Sequence, residues 1–247
     1  MLTQHRSQLT KRKTLRLLDE LESAEDGAAK SLYIPSGQHR SDIHSSITSN
    51  IEDAPADAID TIAKSKTGAV LFWGKEHKCL ILPPFPLKES HTSAGYDIAP
   101  LRSFLTQELK VALLLVRLGE YAVGVFDGEN LVSSKVGTGL VHSREKKGGT
   151  SQRRFQRHRE KQMEYFFERV CGHAREHLEP QLRQLDHLLY GGERSTILSF
   201  RKQCSFLQKF DDRTLDWLLD VRHPKQATLK QAIIQAWSST VTQWEEN

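Results

Sequence analysis

Residues 111–140 have the sequence VALLLVRLGEYAVGVFDGENLVSSKVGTGL, which contains three apolar runs separated by short polar turns. The runs Val111–Leu118, Tyr121–Asp127 and Asn130–Leu140 are rich in β-branched, aromatic and other apolar residues, as is typical of strands. The Asp127-Gly128 pair between the last two runs is a strong hairpin signal. The stretch therefore predicts three successive strands joined by tight turns.

A long helix is predicted after these strands, from about Ser151 to His177. In its second half an apolar stripe recurs at helical spacing, which indicates a face packed on a core. The stripe consists of Met163, Phe166, Phe167, Val170, Ala174 and Leu178. Upstream of the stripe only Phe155 is apolar, so about 12 residues, roughly 18 Å of helix, have nothing apolar to pack with. We interpret this first half as a basic arm.

The remaining segments complete a mixed α/β fold, a mixed sheet with flanking helices. Towards the N-terminus we predict a helix over 10–23, a strand over 31–37, a polar irregular segment over 38–57, a helix over 56–64 and a hairpin of 68–74 with 78–83. Towards the C-terminus we predict a strand over 188–192 and helices over 195–209, 212–221 and 228–244. The 247 residues suit one large domain or two small ones. We expect a smaller N-terminal α+β domain over 1–95 and the mixed sheet over 96–247, with the boundary in the loop 87–100.

Composition excludes several classes of protein. The longest apolar run, Val111–Val116, is far shorter than the roughly 18–20 residues of a membrane helix. The basic N-terminus has no apolar stretch behind it and is no secretory signal. Cys79, Cys171 and Cys204 are odd in number and far apart, so we expect neither a disulfide framework nor a zinc site. These features predict a protein of a reducing compartment, the cytoplasm.

Charge is strongly segregated along the chain. Residues 144–161 hold eight Lys and Arg against two Glu, whereas Asp19–Asp60 hold ten acidic residues against two basic ones. A second basic patch consists of Arg6, Lys11, Arg12, Lys13 and Arg16. Such segregation indicates a polyanionic partner at one end of the molecule, and on charge alone a solvated helix face explains it equally well.

The segment 146–155, KKGGTSQRRF, is the most suggestive chemically. Gly148 and Gly149 allow the backbone to approach another backbone closely. Gln152 has an amide that donates and accepts hydrogen bonds but does not ionise. Of the residue types that act as a general base at neutral pH, only His142 and His158 are near. If this loop is catalytic, it would therefore act by positioning a water molecule and backbone N–H groups. A loop that only binds phosphate explains the same residues equally well.

Three motifs follow one another in this half of the chain: YAVGVFDG at 121–128, VGTGLVH at 136–142 and KGGTSQRRFQRHR at 147–159. In this order they resemble the catalytic domain of archaeal and eukaryotic class I peptide release factors. That family has a hairpin, a Gly-Gly-Gln loop and a helix that opens with an Arg-Phe-x-Arg-x-Arg pattern, which residues 154–159 match. Because two residues separate Gly-Gly from Gln here, the chain resembles more closely the Vms-like release factor (VLRF) branch. The resemblance covers about residues 110–210.

The resemblance implies a release activity uncoupled from codon reading and from GTP. The family reads stop codons with Asn-Ile-Lys-Ser and Tyr-x-Cys motifs, whereas the nearest match here is Asn50-Ile51-Glu52-Asp53 and no Tyr-x-Cys occurs. We also expect no GTPase-docking domain, because no segment matches the C-terminal domain of the family. The implied reaction is codon-independent hydrolysis of the ester between a nascent peptide and tRNA, on a stalled ribosome or a large subunit.

The resemblance also implies a role for each candidate residue. Gly148 and Gly149 would shape the catalytic loop, and Gln152 would orient the water or the transition-state oxygen. The residues that would hold rRNA or tRNA phosphates are Lys146, Lys147, Arg153, Arg154, Arg157 and Arg159. The expected partners are large-subunit rRNA and peptidyl-tRNA. We expect a monomer with no cofactor, no metal and no membrane contact.

Two other functions stay open. A tRNA endonuclease that cuts near the 3′ CCA end would need His142 or His158 as its base, and a non-catalytic ribosome-binding module would need only the arm arginines. Two further patterns favour structural explanations. His173 and His177 have metal-ligand spacing without a third ligand, and Gly191-Gly192 lacks a nucleotide-binding pattern and predicts a tight turn.

Overall fold

The computed structural model describes residues 2–24, 26–51, 53–141 and 150–246. The chain forms two compact units, Met1–Gln107 with Ala236–Asn247, and Glu108–Gln235. Each unit is built on one β-sheet with helices packed against it, so the predicted mixed α/β class is confirmed. Within the described ranges, no helix has the length and apolar character needed to cross a membrane.

The secondary structure alternates between strands and helices along the chain. In order, the elements are β1 (Leu2–Leu9), α1 (Lys11–Ser23), β2 (Lys30–Ile34), α2 (Arg40–Thr48), α3 (Ala56–Ala63), β3 (Ala69–Trp73), β4 (Lys78–Leu82), β5 (His91–Ala94), α4 (Ala99–Thr106), β6 (Lys110–Arg117), β7 (Glu120–Asp127), β8 (Asn130–Thr138), α5 (Thr150–Leu178), β9 (His187–Gly191), α6 (Arg194–Gln203), β10 (Thr214–Leu219), α7 (Gln226–Ala236) and β11 (Ser239–Glu246). Short 3₁₀ helices, Glu179–Gln181 and Ser205–Arg213, follow α5 and α6.

The first unit contains a six-stranded antiparallel sheet in the order β1-β11-β4-β3-β2-β5. Successive residues of a strand point to opposite faces, and the central strand β3 is buried on both. On one face Phe72 packs with α1 and α4. On the other face Leu71 packs with α2 and α3. The sheet therefore lies between two helical layers.

The second unit contains a five-stranded mixed sheet in the order β10-β9-β6-β7-β8. Strand β9 runs parallel to both β6 and β10, and the β6-β7-β8 pairs are antiparallel. The apolar residues Val111–Val116 of β6 are completely buried. Helices α5 and α6 cover one face, and Leu229 of α7 reaches Gly124 on the other. The three strands and the long helix predicted for this region are confirmed.

Three segments differ from their predicted secondary structure. Residues 214–219 form strand β10 rather than a helix, because they pair with β9, which lies far from them in sequence. Residues 239–246 form strand β11 rather than the end of a helix, and there the Thr240-Val241-Thr242 run favours a strand. The segment predicted to be irregular contains α2, whose Ile43 and Ile47 are buried one helical turn apart.

The units also differ from the predicted domains 1–95 and 96–247. The loop expected to separate them contains β5, which pairs with β2, and the start of α4, which packs in the core of the first unit. Strand β11 inserts between β1 and β4, so 236–247 belong to the first unit as well. The sequence gives no signal for β1, because Thr3 to Arg6 are all exposed and show no alternation.

The glycine turn after β9 supports a first prediction. Gly192 has φ +123°, and a Cβ there would lie 2.3 Å from the carbonyl oxygen of Val116. We expect Gly192→Ala to lower the free energy of unfolding of the second unit by at least about 2 kcal/mol, because the strain and the backbone clash add. Urea denaturation measures the change. Gly172→Ala is the matched control: Gly172 is helical with open space around it, so this substitution should stabilise by up to about 1 kcal/mol.

Candidate functional site

Helix α5 carries the candidate site. Its 29 residues extend about 43 Å at 1.5 Å per residue. In its second half Phe166, Phe167 and Val170 are buried in the core of the second unit. In its first half every residue from Arg153 to His158 is exposed, and Phe155 is 55% exposed. The first half of α5, residues 150–161, therefore has no core beneath it and is called the arm below.

The contacts of the arm are local. Gln156 Nε2 donates to Glu160 Oε1 at 3.0 Å, and Arg159 Nη1 lies 3.3 Å from Met163 Sδ. Three exposed arginines, Arg153, Arg154 and Arg157, form no ion pair with any other residue that the structure describes. Exposed cations without a carboxylate partner add no ion-pair energy to the fold, and they suit the phosphates of a nucleic acid.

The end of β8 is fixed against the buried half of α5. Arg169 Nη1 donates to the carbonyl oxygen of Thr138 at 3.1 Å. The next residue, Gly139, passes so close to Phe166 that a Cβ at this position would lie 2.6 Å from the ring. Gly139 N–H also donates to the Gly119 carbonyl at 2.9 Å. The chain that enters the segment 142–149 is thus held to the helix that follows this segment.

The predicted site residues divide into two groups. Arg153, Arg154, Arg157 and Arg159 lie together on the arm, and the backbone of Gln152 lies in the first turn of the same helix. Lys146, Lys147, Gly148, Gly149 and His142 lie outside the described residues. The roles stated above stay predictions for the residues of both groups.

The two histidines with metal-ligand spacing have protein partners. His173 Nδ1 lies 3.1 Å from Glu176 Oε2, and its ring stacks on Tyr121 of β7. His177 Nδ1 lies 3.1 Å from Ser133 Oγ on β8. The contacts with Tyr121 and Ser133 join α5 to the sheet. Among the described residues, no group of three or more His, Cys, Asp or Glu side chains is placed to bind a metal ion.

A disulfide in the second unit contradicts the expectation from the cysteine spacing. Cys171 of α5 is bonded to Cys204, which follows α6, with the two Cα atoms 5.6 Å apart. The two cysteines are 33 positions apart in sequence, and the chain between them contains the end of α5, β9 and α6 before it returns to α5. Gln203 Nε2 also donates to the carbonyl oxygen of Glu164 at 2.8 Å. Only the tertiary structure reveals the pair, because no local pattern marks it.

This disulfide supports a second prediction. Reduction should lower the free energy of unfolding of the second unit by about 3–4 kcal/mol, the loop-closure value for a loop of this length. Urea denaturation with and without dithiothreitol measures the difference. The double variant Cys171→Ala/Cys204→Ala serves as the control, since its stability should not respond to the reductant. Equal stability of oxidised and reduced wild-type protein would contradict the prediction.

Comparison of sequences places this architecture among translation factors. Residues 109–242 match the family model described as Actinobacteria/chloroflexi VLRF1 release factor. Peptide chain release factor subunit 1 of Aeropyrum pernix is 28% identical over 206 residues, which cover 72% of this chain and 55% of that protein. The same factor of Methanococcoides burtonii is 25% identical over 233 residues, covering 82% and 56%. The chain spans about half the length of these curated relatives.

Solved structures include two similar chains. The crystal structure of the archaeal translation termination factor aRF1 has a TM-score of 0.43 and 23% identity, covering 92% of this chain and 70% of that chain. The Vms1 mitochondrial localization core has a TM-score of 0.46 and 14% identity, covering 94% and 95%. The family model matches more than half of the chain, including all of α5 and the sheet beside it. The protein therefore belongs to the Actinobacteria/chloroflexi VLRF1 release factor family.

Proposed function

We propose that this protein hydrolyses peptidyl-tRNA on stalled ribosomes or large subunits and so releases the nascent peptide in the cytoplasm without reading a codon. The observation that carries the proposal is the arm, on which Arg153, Arg154 and Arg157 are exposed, have no ion pair with any described residue and directly follow Gln152. In the sequence, Gln152 itself closes the Gly-Gly-x-x-Gln motif. Membership of a release factor family supports a role in translation termination or rescue. The ester reaction, the rRNA partner and the monomeric state are parts of the proposal.

The proposed division of labour follows from the order of these residues. The arm arginines, with Lys146 and Lys147, would bind phosphates of rRNA or tRNA. Gly148 and Gly149 would give the loop the backbone freedom to approach the ester. Gln152 would donate or accept a hydrogen bond at the attacking water or the developing oxyanion. The surrounding ribosomal RNA would supply the remaining groups.

Helical geometry supports separate positions for the amide and the cations. The backbone of Gln152 precedes Val170 by eighteen residues, which are five full turns, so both occupy the same angular position on α5. Arg153 and Arg157 are rotated from that position by about 100° and 140°. The backbone position of Gln152 on the helix therefore differs from the positions that carry Arg153 and Arg157.

The contacts at the end of β8 support a mechanism in which the loop accelerates release by positioning groups. A loop that positions a water must itself be held in place to within about 0.5 Å. The Arg169 guanidinium on the Thr138 carbonyl and the ring of Phe166 over Gly139 connect the chain before the loop to the helix after it. The end of β8 is thereby fixed to the same helix that carries Gln152.

The test is release of radiolabelled peptide from purified ribosome–nascent-chain complexes, with the tRNA product sized on a gel. Puromycin treatment of the same complexes measures the total releasable peptide. Free peptide with full-length tRNA is the expected result. Peptide that still carries a CCA remnant would identify a nuclease instead, and binding without release would identify a non-catalytic module.

A further inference from the structure

The first unit has a second group of cations, away from the arm in sequence. Arg6 lies on β1, and Lys11, Arg12, Lys13 and Arg16 lie in the first half of α1. We call these five residues the β1–α1 patch. At 1.5 Å per helical residue and about 3.3 Å per extended residue, they all lie within roughly 20 Å of the junction between the two elements.

Ion pairs within the fold do not use the charges of this patch. Arg6, Arg12, Lys13 and Arg16 form no ion pair with any residue in the described ranges. Lys11 Nζ lies 4.2 Å from the centroid of the Trp237 ring, a cation–π contact. Helix α1 has no acidic residue in its first turn, so its cations oppose the helix dipole and one another. A group of charges that weakens its own helix indicates a role outside the fold.

The acidic residues of the same helix are arranged in the opposite way. Asp19 and Glu22 both pair with Arg102 of α4, at 2.7 Å and 3.0 Å. Two of the acidic residues in the second half of α1 are therefore paired within the first unit, whereas the cations of its first half are not. The basic end of the helix keeps its positive charge available.

The surface around the patch is open. β1 is the edge strand of its sheet and pairs only with β11. Its residues from Thr3 to Arg6 are all exposed, although successive side chains of a strand point to opposite faces. Neither face of the strand is covered there. Arg12, Lys13 and Arg16 are exposed beside it, while Leu17, Leu18 and Leu21 hold the helix on the sheet.

The surroundings favour a phosphodiester backbone as the partner. Surfaces that bind lipid combine cations with exposed apolar side chains that enter the headgroup region. Among the residues that the structure describes, the exposed large hydrophobic side chains lie between Val132 and Ile234. All of them belong to the second unit and none to the first. A cationic surface without apolar side chains binds RNA phosphates by electrostatics and by release of counterions.

We infer that the β1–α1 patch is a second RNA-backbone-binding surface, which adds affinity for the ribosome to that of the arm. The inference rests on the proposed function for the identity of its partner as ribosomal RNA. The patch would make contacts that fix the protein on its substrate and carry no chemistry. Its loss should therefore change binding and leave the maximal rate of release unchanged.

The test compares the full chain with a fourfold variant, Arg6→Gln, Arg12→Gln, Lys13→Gln and Arg16→Gln, in which Lys11 is kept because it packs on Trp237. The control removes the same charge from exposed lysines elsewhere in the first unit: Lys64→Gln, Lys66→Gln, Lys75→Gln and Lys88→Gln. The probe is a fluorescein-labelled RNA duplex of about 20 base pairs, titrated between about 50 and 200 mM KCl. Equal unfolding midpoints establish that each variant is folded.

The patch variant is expected to bind the duplex at least about tenfold more weakly, with a slope of log K against log salt that is smaller by at least about 2. The affinity of the control variant should change far less. Equal effects of the two variants would overturn the inference. Binding to phosphatidylglycerol vesicles is measured in parallel: a patch variant that binds the vesicles more weakly but the duplex as tightly as wild type would indicate a membrane partner and would also overturn it.

Release assays separate this inference from the proposed function. A patch variant that needs more protein but reaches the wild-type maximal rate supports both. If wild-type protein releases no peptide while its RNA affinity still depends on the patch, the proposed function fails and the surface is supported. If the wild-type protein releases peptide, and the patch variant matches it in both maximal rate and concentration dependence, the inference about the patch is overturned and the proposed function is not.

Discussion

Gln152→Ala is expected to lower the maximal rate of peptide release at least about 100-fold, the usual effect of removing one hydrogen-bond donor from a transition state. Binding to the ribosome should stay within about twofold of wild type, because the cations that hold phosphates are unchanged. The reason lies in the chemistry of the side chain. An amide supplies a donor and an acceptor without titrating, and alanine supplies neither.

The arm provides a matched control one helical turn further on. Gln156 has the same side chain, and its amide is already bonded to Glu160 within the arm. Gln156→Ala should therefore remove only a surface contact and leave release near wild type. Single-turnover release at saturating protein separates the rate from binding. Similar rates for the two variants would show that the position of Gln152 has no special role.

Neutralising the arm should have the largest effect on affinity. In the variant Arg153→Gln, Arg154→Gln, Arg157→Gln, we expect ribosome binding at moderate salt to weaken at least about 100-fold, because three unpaired cations lose their phosphates. The slope of log K against log salt should become smaller by about 2 to 3, since each phosphate contact contributes about 0.7 to 0.9. Binding titrations over a range of salt concentrations measure both quantities.

The control for the arm removes three exposed cations from other elements of the second unit: Arg183→Gln, Arg194→Gln and Arg222→Gln. Net charge changes equally in the two variants, so any difference reports the position of the charges. A control that weakens binding as strongly as the arm variant would mean that total charge alone, and not the arm, attracts the ribosome.

The arm and the central sheet are the parts of the structure that the sequence predicts best. Val111–Val116 is apolar without interruption and is buried on both faces of the sheet. In α5 the stripe from Met163 to Leu178 stops where the arginines begin, and burial stops at the same place. Both signals are local, because one element carries its complete pattern within about 30 residues.

The errors concern elements whose partners are distant in sequence. Strands β10 and β11 were predicted to be helices because Leu215, Leu218 and Val241 also fit helical spacing, and pairing with β9 and β4 decides the conformation. The bond between Cys171 and Cys204 depends on how α6 returns to α5. In the candidate site the motif gives the order of the residues, and only the tertiary structure shows that Gly139 packs against Phe166.

The strand order of the first sheet has a consequence for biosynthesis. Strand β11 lies between β1 and β4, so β1 has no partner until residues 239–246 have been made. The second unit ends at Gln235, and all of its strands are available earlier. During translation the second unit is therefore completed before the first. A copy arrested before residue 239 leaves β1 and one edge of β4 unpaired, and such edges promote aggregation.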